Sequence, residues 1–123
     1  MKEQKFRKLD VWNRAMDFIG EIYKVTSNFP STEIYGLSAQ LRRAAISISL
    51  NIAEGSGSGS DPEFNRFLNI SLRSAYEVMC GIEVACKLDY CDKTIAEKLL
   101  NECDELSAMI TGLKRKLIGS SHS

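Results

Sequence analysis

The chain has 123 residues, 44% hydrophobic and 26% charged, with two prolines and with 16 basic residues balanced by 16 acidic ones. A chain of this size forms one domain that buries roughly two thirds of its unfolded surface without staples, and its neutral charge gives no global field to draw it onto nucleic acid or an acidic membrane. No apolar run approaches the ~20 residues of a membrane span and no signal-type segment follows Met1–Lys8, so a cytoplasmic protein without a membrane partner is expected.

Trp12, Ala15, Ile19, Ile22, Thr26 and Phe29 advance in steps of three and four, the stripe of a helix over about 10–28 with Asp10 as its N-cap. Pro30 stops it, and Ser31–Gly36 reads as a loop. A second helix over about 37–54 places Leu37, Leu41, Ala45, Ile48 and Ile52 toward the core, with Gly55 as its C′ residue. Its small residues, Ala39, Ala44, Ala45, Ser47, Ser49 and Ala53, suit close approach by neighbouring helices. Ile46, Leu50 and Ala53 lie on a second apolar face of this helix and are the expected subunit interface. Asn51 and Glu54, set among the apolar residues, need partners if buried. They are read as structural, with Gly55, because no histidine, paired carboxylate or nucleophile stands at a catalytic spacing to them.

Gly55–Ser60 is a flexible Gly/Ser loop by composition, within one domain spanning residues 1–123. Asp61-Pro62-Glu63 then reads as N-cap, proline in the first turn and an acid, starting a third helix over about 61–88. Its apolar face, from Phe64 to Cys86, is wider than one core stripe requires. A fourth helix over about 93–118 begins near Asp92 or at a Thr94–Glu97 capping box, and Leu99, Cys103, Leu106, Ile110, Leu113 and Leu117 repeat as in bundle packing. Residues from Gly119 on are expected to fray.

Cys80, Cys86, Cys91 and Cys103 form no CxxC pair, and the sole histidine, His122, lies at the tail, which argues against zinc. Buried free thiols are expected, with Cys91, beside a turn, the most exposed. Helical di-metal sites want Glu-x-x-His pairs, which the chain lacks, so neither a metal, a cofactor nor an enzyme is expected.

The fold these elements specify is all-α, an antiparallel up-and-down four-helix bundle. That topology gathers Lys2, Lys5, Arg7, Lys8, Lys114, Arg115 and Lys116 at one end, against Glu3, Asp10, Glu54, Asp61 and Glu63. The other end, around Asp89, Asp92, Glu97, Glu102, Asp104 and Glu105, is expected to be acidic. Arg42 and Arg43 open the second helix and point about 100° apart, so one can face a neighbour while the other faces solvent. With Lys114, Arg115 and Lys116 they are the candidate nucleic-acid or partner contacts, although an ion pair or the helix dipole explains such residues equally well. Trp12 and Tyr35 are read as core or interface aromatics.

From Phe6 to Leu117 the chain resembles the four-helix-bundle proteins encoded by intervening sequences in bacterial 23S ribosomal RNA genes, the S23 ribosomal protein-like family. A related branch is the accessory variability determinant of diversity-generating retroelements. The resemblance rests on Leu9-Asp10-Val11-Trp12 with Ala15, Ile22-Tyr23-Lys24, Phe29-Pro30 with Glu33, Tyr35-Gly36-Leu37 with Gln40, and Arg42-Arg43-Ala44. Ser47-Ile48 and above all Asn51-Ile52-Ala53-Glu54-Gly55 extend it, followed by Glu63-Phe64, Phe67-Leu68, Ser74 and Glu77. The chain departs from the pattern in its Gly/Ser loop, which lacks the usual basic residue, and at Arg73 and Met79. The resemblance implies a non-catalytic homo-oligomer, a ring-shaped pentamer. For the retroelement branch it also implies RNA or DNA and a nucleic-acid-processing protein as partners. The alternative is a protein-binding scaffold oligomer with no nucleic-acid role, which the neutral charge favours.

Overall fold

The structure, a computed structural model, describes residues 3–122. Four helices make the bundle: α1 (Asp10–Thr26), α2 (Leu37–Ser56), α3 (Asp61–Lys87) and α4 (Lys93–His122). Short 3₁₀ turns at Lys5–Lys8 and Ser31–Glu33 precede α1 and α2. Successive helices run antiparallel, and α1 closes the square against α4, where Arg14 meets Glu105 and Glu21 lies across from Lys98.

On α1 the buried stripe is Val11, Ala15, Phe18, Ile22 and Thr26. Trp12 and Ile19, expected at its centre, flank it and are partly buried. The apolar arc of α1 is broad enough for two registers, and the one observed buries Val11 and Phe18. On α2 and α4 the expected residues are in the core: Leu41, Ala45, Ile48 and Ile52, then Leu99, Cys103, Leu106 and Ile110. Leu113 and Leu117 pack against that core from its margin.

The closest packing joins α2 to α3, and small residues permit it. Ser71 Oγ, fully buried, donates to the carbonyl of Ile48 at 2.8 Å. One turn along, Ser74 Oγ donates to Ser47 Oγ at 2.8 Å. A Cβ on Gly81 would stand 2.5 Å from Leu41 Cδ2, and one on Gly55 would stand 2.7 Å from Phe64 Cδ1. Gly55 is therefore not the C′ residue of α2. It is a buried helical glycine that lets α3 approach, while the helix continues to Ser56. The loop is correspondingly shorter than 55–60, and its left-handed residue is Gly59, at φ 89°.

Two helix N-caps lie one residue earlier than expected, and a third takes the earlier of two expected candidates. Ser60 rather than Asp61 caps α3, its Oγ accepting from the Glu63 N–H at 3.3 Å, and Pro62 lies in the first turn. Asp92 rather than Thr94 caps α4, its Oδ1 accepting from the Ile95 N–H at 2.8 Å. Asp10 is the first residue of α1, where Leu9 occupies the N-cap without a side-chain bond. At the other end of α3, Asp89 takes the left-handed conformation at φ 62°. Its N–H donates to Cys86 O, and the Tyr90 N–H to Ala85 O at 2.9 Å, a Schellman closure without glycine. The fourth helix does not end near residue 118, as expected, but extends to His122.

Two loops are tied together far from the α2–α3 loop. Tyr90 Oη donates to Glu33 Oε2 at 2.9 Å, while Glu33 Oε1 accepts from the Leu37 N–H at 3.1 Å. The Phe29 and Tyr90 rings meet 5.5 Å apart. The Leu37 amide and the Tyr90 hydroxyl hold the Glu33 carboxyl below its usual range, and the same carboxylate raises the Tyr90 phenol.

All four thiols are free, but Cys80 is the exposed one, not Cys91, which is half-buried. Cys103 is fully buried with Sγ donating to Ala75 O, and burial pushes its thiol up to about 12. No helix among the described residues is long and apolar enough to cross a membrane.

Candidate functional site

The N-terminal 3₁₀ turn carries Lys5, Arg7 and Lys8. It is fixed to α1 by Asn13, whose Nδ2 donates to Arg7 O at 3.0 Å and Leu9 O at 3.1 Å, and by Phe6 packing on Trp12 at 4.9 Å between ring centroids. Lys5, Leu9 and Leu117 line one cleft of about 330 Å³, which sets this turn beside the last turns of α4. Lys114, half-buried, and the exposed Arg115 and Lys116 stand there. None of these six cations forms an ion pair among the described residues. Glu63, the nearest acid on α3 beyond Asp61, is already bound by Arg66 at 3.1 Å, which holds its carboxyl below the usual range. Lys2, expected in the same cluster, lies outside the described residues.

Arg42 and Arg43 do not join this patch. They lie in the second turn of α2, and the helical rise puts them roughly 20 Å along the bundle axis from Lys114. Arg42 is engaged inside the molecule: its guanidinium carbon sits 4.5 Å over the Tyr23 ring and Nε donates to Thr26 Oγ1 at 2.8 Å. Thr26 Oγ1 in turn donates to Ile22 O at 2.7 Å. Arg43 is exposed.

Asn51 is half-buried, and its Nδ2 donates to Ser47 O at 2.8 Å and to Ser47 Oγ at 3.0 Å. With Ser74 it forms a hydroxyl–amide chain across the α2–α3 seam. Glu54 is not buried with it but exposed, one step round the helix. The two therefore do not act as a pair. Among the described residues no group of three His, Cys, Asp or Glu side chains is placed to hold a metal ion.

Leu50 is 53% exposed, and Ile46 and Ala53 are partly buried on the same side of α2. The register of α1 against α2 is set at one end by Tyr23 under Arg42 and at the other by Phe6, which shares a cleft with Ala53. Met16 of α1, 44% exposed, lies in sequence between these two contacts.

The acidic surface is not at the end opposite the basic residues. Asp89, Asp92 and Glu97 there are interleaved with Lys87, Lys93 and Lys98, and Lys93 lies 4.0 Å from Glu97. Glu102 and Glu105 lie several turns into α4, where with Asp17 and Glu21 of α1 they flank a groove of about 420 Å³ that Arg14 also lines, bound to Glu105 at 2.7 Å, with Lys98 4.0 Å from Glu21 and 3.9 Å from Glu102. Helix length explains the difference, because nine residues of α4 already separate Lys93 from Glu102.

Sequence reasoning missed the cleft itself. Phe64 and Asp61 were read as a core residue and a cap, and only the folded register brings them beside Lys5.

No curated protein is recognisably similar in sequence. Among solved structures the chain is similar to a protein of unknown function from the S23 ribosomal protein family of Bacteroides thetaiotaomicron. The TM-score is 0.79 at 23% identity, over 85% of this chain and 95% of that one, a likeness of fold. The family model described as 23S rRNA-intervening sequence protein matches residues 7–112. With nearly the whole bundle inside that match, the chain belongs to the 23S rRNA-intervening sequence protein family.

Proposed function

We propose that the protein is a non-catalytic, self-assembling helical bundle that acts as a nucleic-acid-associated accessory protein. The observation that carries this reading is the basic end. Lys5, Arg7 and Lys8 of the N-terminal turn stand at the same end as Lys114, Arg115 and Lys116, among the acids Glu3, Asp10, Glu54 and Asp61, and none of the six cations forms an ion pair among the described residues. One such patch is a weak phosphate binder in a protein of net charge zero. Assembly through Ile46, Leu50 and Ala53 multiplies it, and a ring of five copies would gain avidity from effective concentration without any new contact. The family supports this reading through its link to ribosomal RNA genes.

The test is binding of the purified protein to structured RNA and duplex DNA across a salt series, with assembly mass measured on the same sample. A slope of log affinity against log salt that falls by about one for each of Lys114, Arg115 or Lys8 replaced by alanine supports the reading. An intact oligomer that binds neither ligand at low salt rejects it. The second reading, a protein-binding scaffold, draws on the exposed apolar Leu50 and Tyr76, and it is what that negative result would leave.

A further inference from the structure

The cleft at the basic end has two kinds of wall. Leu9, Phe64 and Leu117 contribute apolar lining, and Lys5, Ser56, Ser60 and Asp61 contribute polar lining. At about 330 Å³ it is of small-ligand size. A second opening of about 380 Å³ adjoins it through Lys5, Ser56 and Gly59, with Phe6, Gln4 and Glu3 in its wall.

Asp61 is favoured in the first turn of α3 by the helix dipole, and beside a phosphate-binding patch its carboxylate suits a ligand that presents a donor rather than another phosphate. An unpaired nucleobase is such a ligand. Its faces are apolar and its edge is polar, and single strands are recognised by stacking bases on apolar or aromatic walls while cations hold the phosphates. A carboxylate accepts from an exocyclic amine, as on cytosine, and rejects the carbonyl that uracil presents at the same place.

We propose that this cleft seats one unpaired base bearing an exocyclic amine, its face against Leu9, Phe64 and Leu117 and its amine donating to Asp61. The flanking phosphates then lie on Lys5 and the neighbouring cations. The inference rests on the nucleic-acid reading and narrows it to single strands. It also gives the adjoining opening a role as the path by which the strand continues past Lys5.

The experiment is fluorescence anisotropy with the full chain, using short labelled homopolymers of cytidine and of uridine and a blunt RNA duplex, each over a salt series. The expected result is cytidine over uridine by at least about fivefold, with the duplex weaker than cytidine. Asp61→Ala should remove the cytidine preference while leaving the salt slope unchanged. Ser56→Phe, which fills the cleft, should bring the single strand down to the duplex. Thermal melts of both variants establish that they are folded, and two variants at different points keep the test decisive if one is not. Equal binding of all three ligands with a steep salt slope would overturn the cleft and leave the basic end as a simple phosphate binder. A cytidine preference that survives both folded variants would also overturn it, since the base is then read elsewhere. Absence of any binding at low salt removes the nucleic-acid reading and the cleft together.

Discussion

Replacing Gly55 by alanine tests whether the α2–α3 contact is as tight as the backbone implies. The added methyl would stand 2.7 Å from Phe64 Cδ1 and 2.9 Å from Phe67 Cβ. The Phe64 ring can swing aside, but Phe67 Cβ is tied to its backbone, so α3 must retreat from α2. Overpacking of this kind costs about 1–3 kcal/mol. Alanine recovers about 0.5–1 kcal/mol because glycine is a poor helix residue. The net expectation is a loss of up to about 2.5 kcal/mol, a Tm lower by up to roughly 15 °C for a chain of this length. Gly20→Ala is the control: Gly20 is helical and exposed, with nothing within 4 Å of its added Cβ, so alanine there should stabilise by about 0.5–1 kcal/mol. Urea denaturation at one fixed protein concentration reads both, since assembly otherwise shifts the midpoint. A Gly55→Ala protein as stable as Gly20→Ala would refute the close approach.

Four further outcomes are expected. Arg42→Ala should lose about 1–2 kcal/mol in urea denaturation, from the Tyr23 stacking and the Thr26 hydrogen bond, and unchanged stability would free Arg42 for a partner. Glu33 has its folded pKa below the ordinary 4.5, so its contribution is present above that pH and lost as pH falls through the folded value. Glu33→Gln should therefore be less stable than the parent at neutral pH, with the gap narrowing below about pH 4.5 in melts across pH. Under native alkylation followed by mass mapping, Cys80 should react first and Cys103 only on unfolding, because its thiol is buried and pushed up to about 12. Leu50→Glu should reduce assembly mass at micromolar concentration while the monomer stays folded, and Tyr76→Glu, on an exposed site of α3, should not; the reverse pattern would move the interface to α3.

The bundle was legible because its signals are redundant. Leu99, Cys103, Leu106 and Ile110 repeat over enough turns of α4 that no other period fits, and all four are buried. Where two registers compete, the pattern alone does not decide. Trp12 and Ile19 satisfy a helical stripe as well as Val11 and Phe18 do, and only the packing of α1 against its neighbours separates them. The caps failed for a related reason. Ser60 and Asp61 are adjacent and both good N-caps, and the choice belongs to the extended backbone at Ser60, with φ −149° and ψ 150°. Gly55 shows the sharper limit. A glycine after a helical run looks like a terminator, and its other use, making room for a second helix, depends on Phe64 and Phe67, which the sequence does not place beside it.

The candidate site divides along the same line. That Lys114–Lys116 and Lys5–Lys8 share an end follows from counting antiparallel helices. That Arg42 and Arg43 do not belong with them follows equally, since α2 begins where α1 ends. The acidic flank was lost by treating every residue after Lys93 as part of one end, although Glu102 and Glu105 are two to three turns further on. The asymmetry of the molecule is therefore one of pairing: the cations at the basic end form no ion pair among the described residues, whereas on the α1–α4 flank Arg14 binds Glu105 at 2.7 Å and Lys98 lies 4.0 Å from Glu21 and 3.9 Å from Glu102, leaving Asp17 as the acid without an ion pair there.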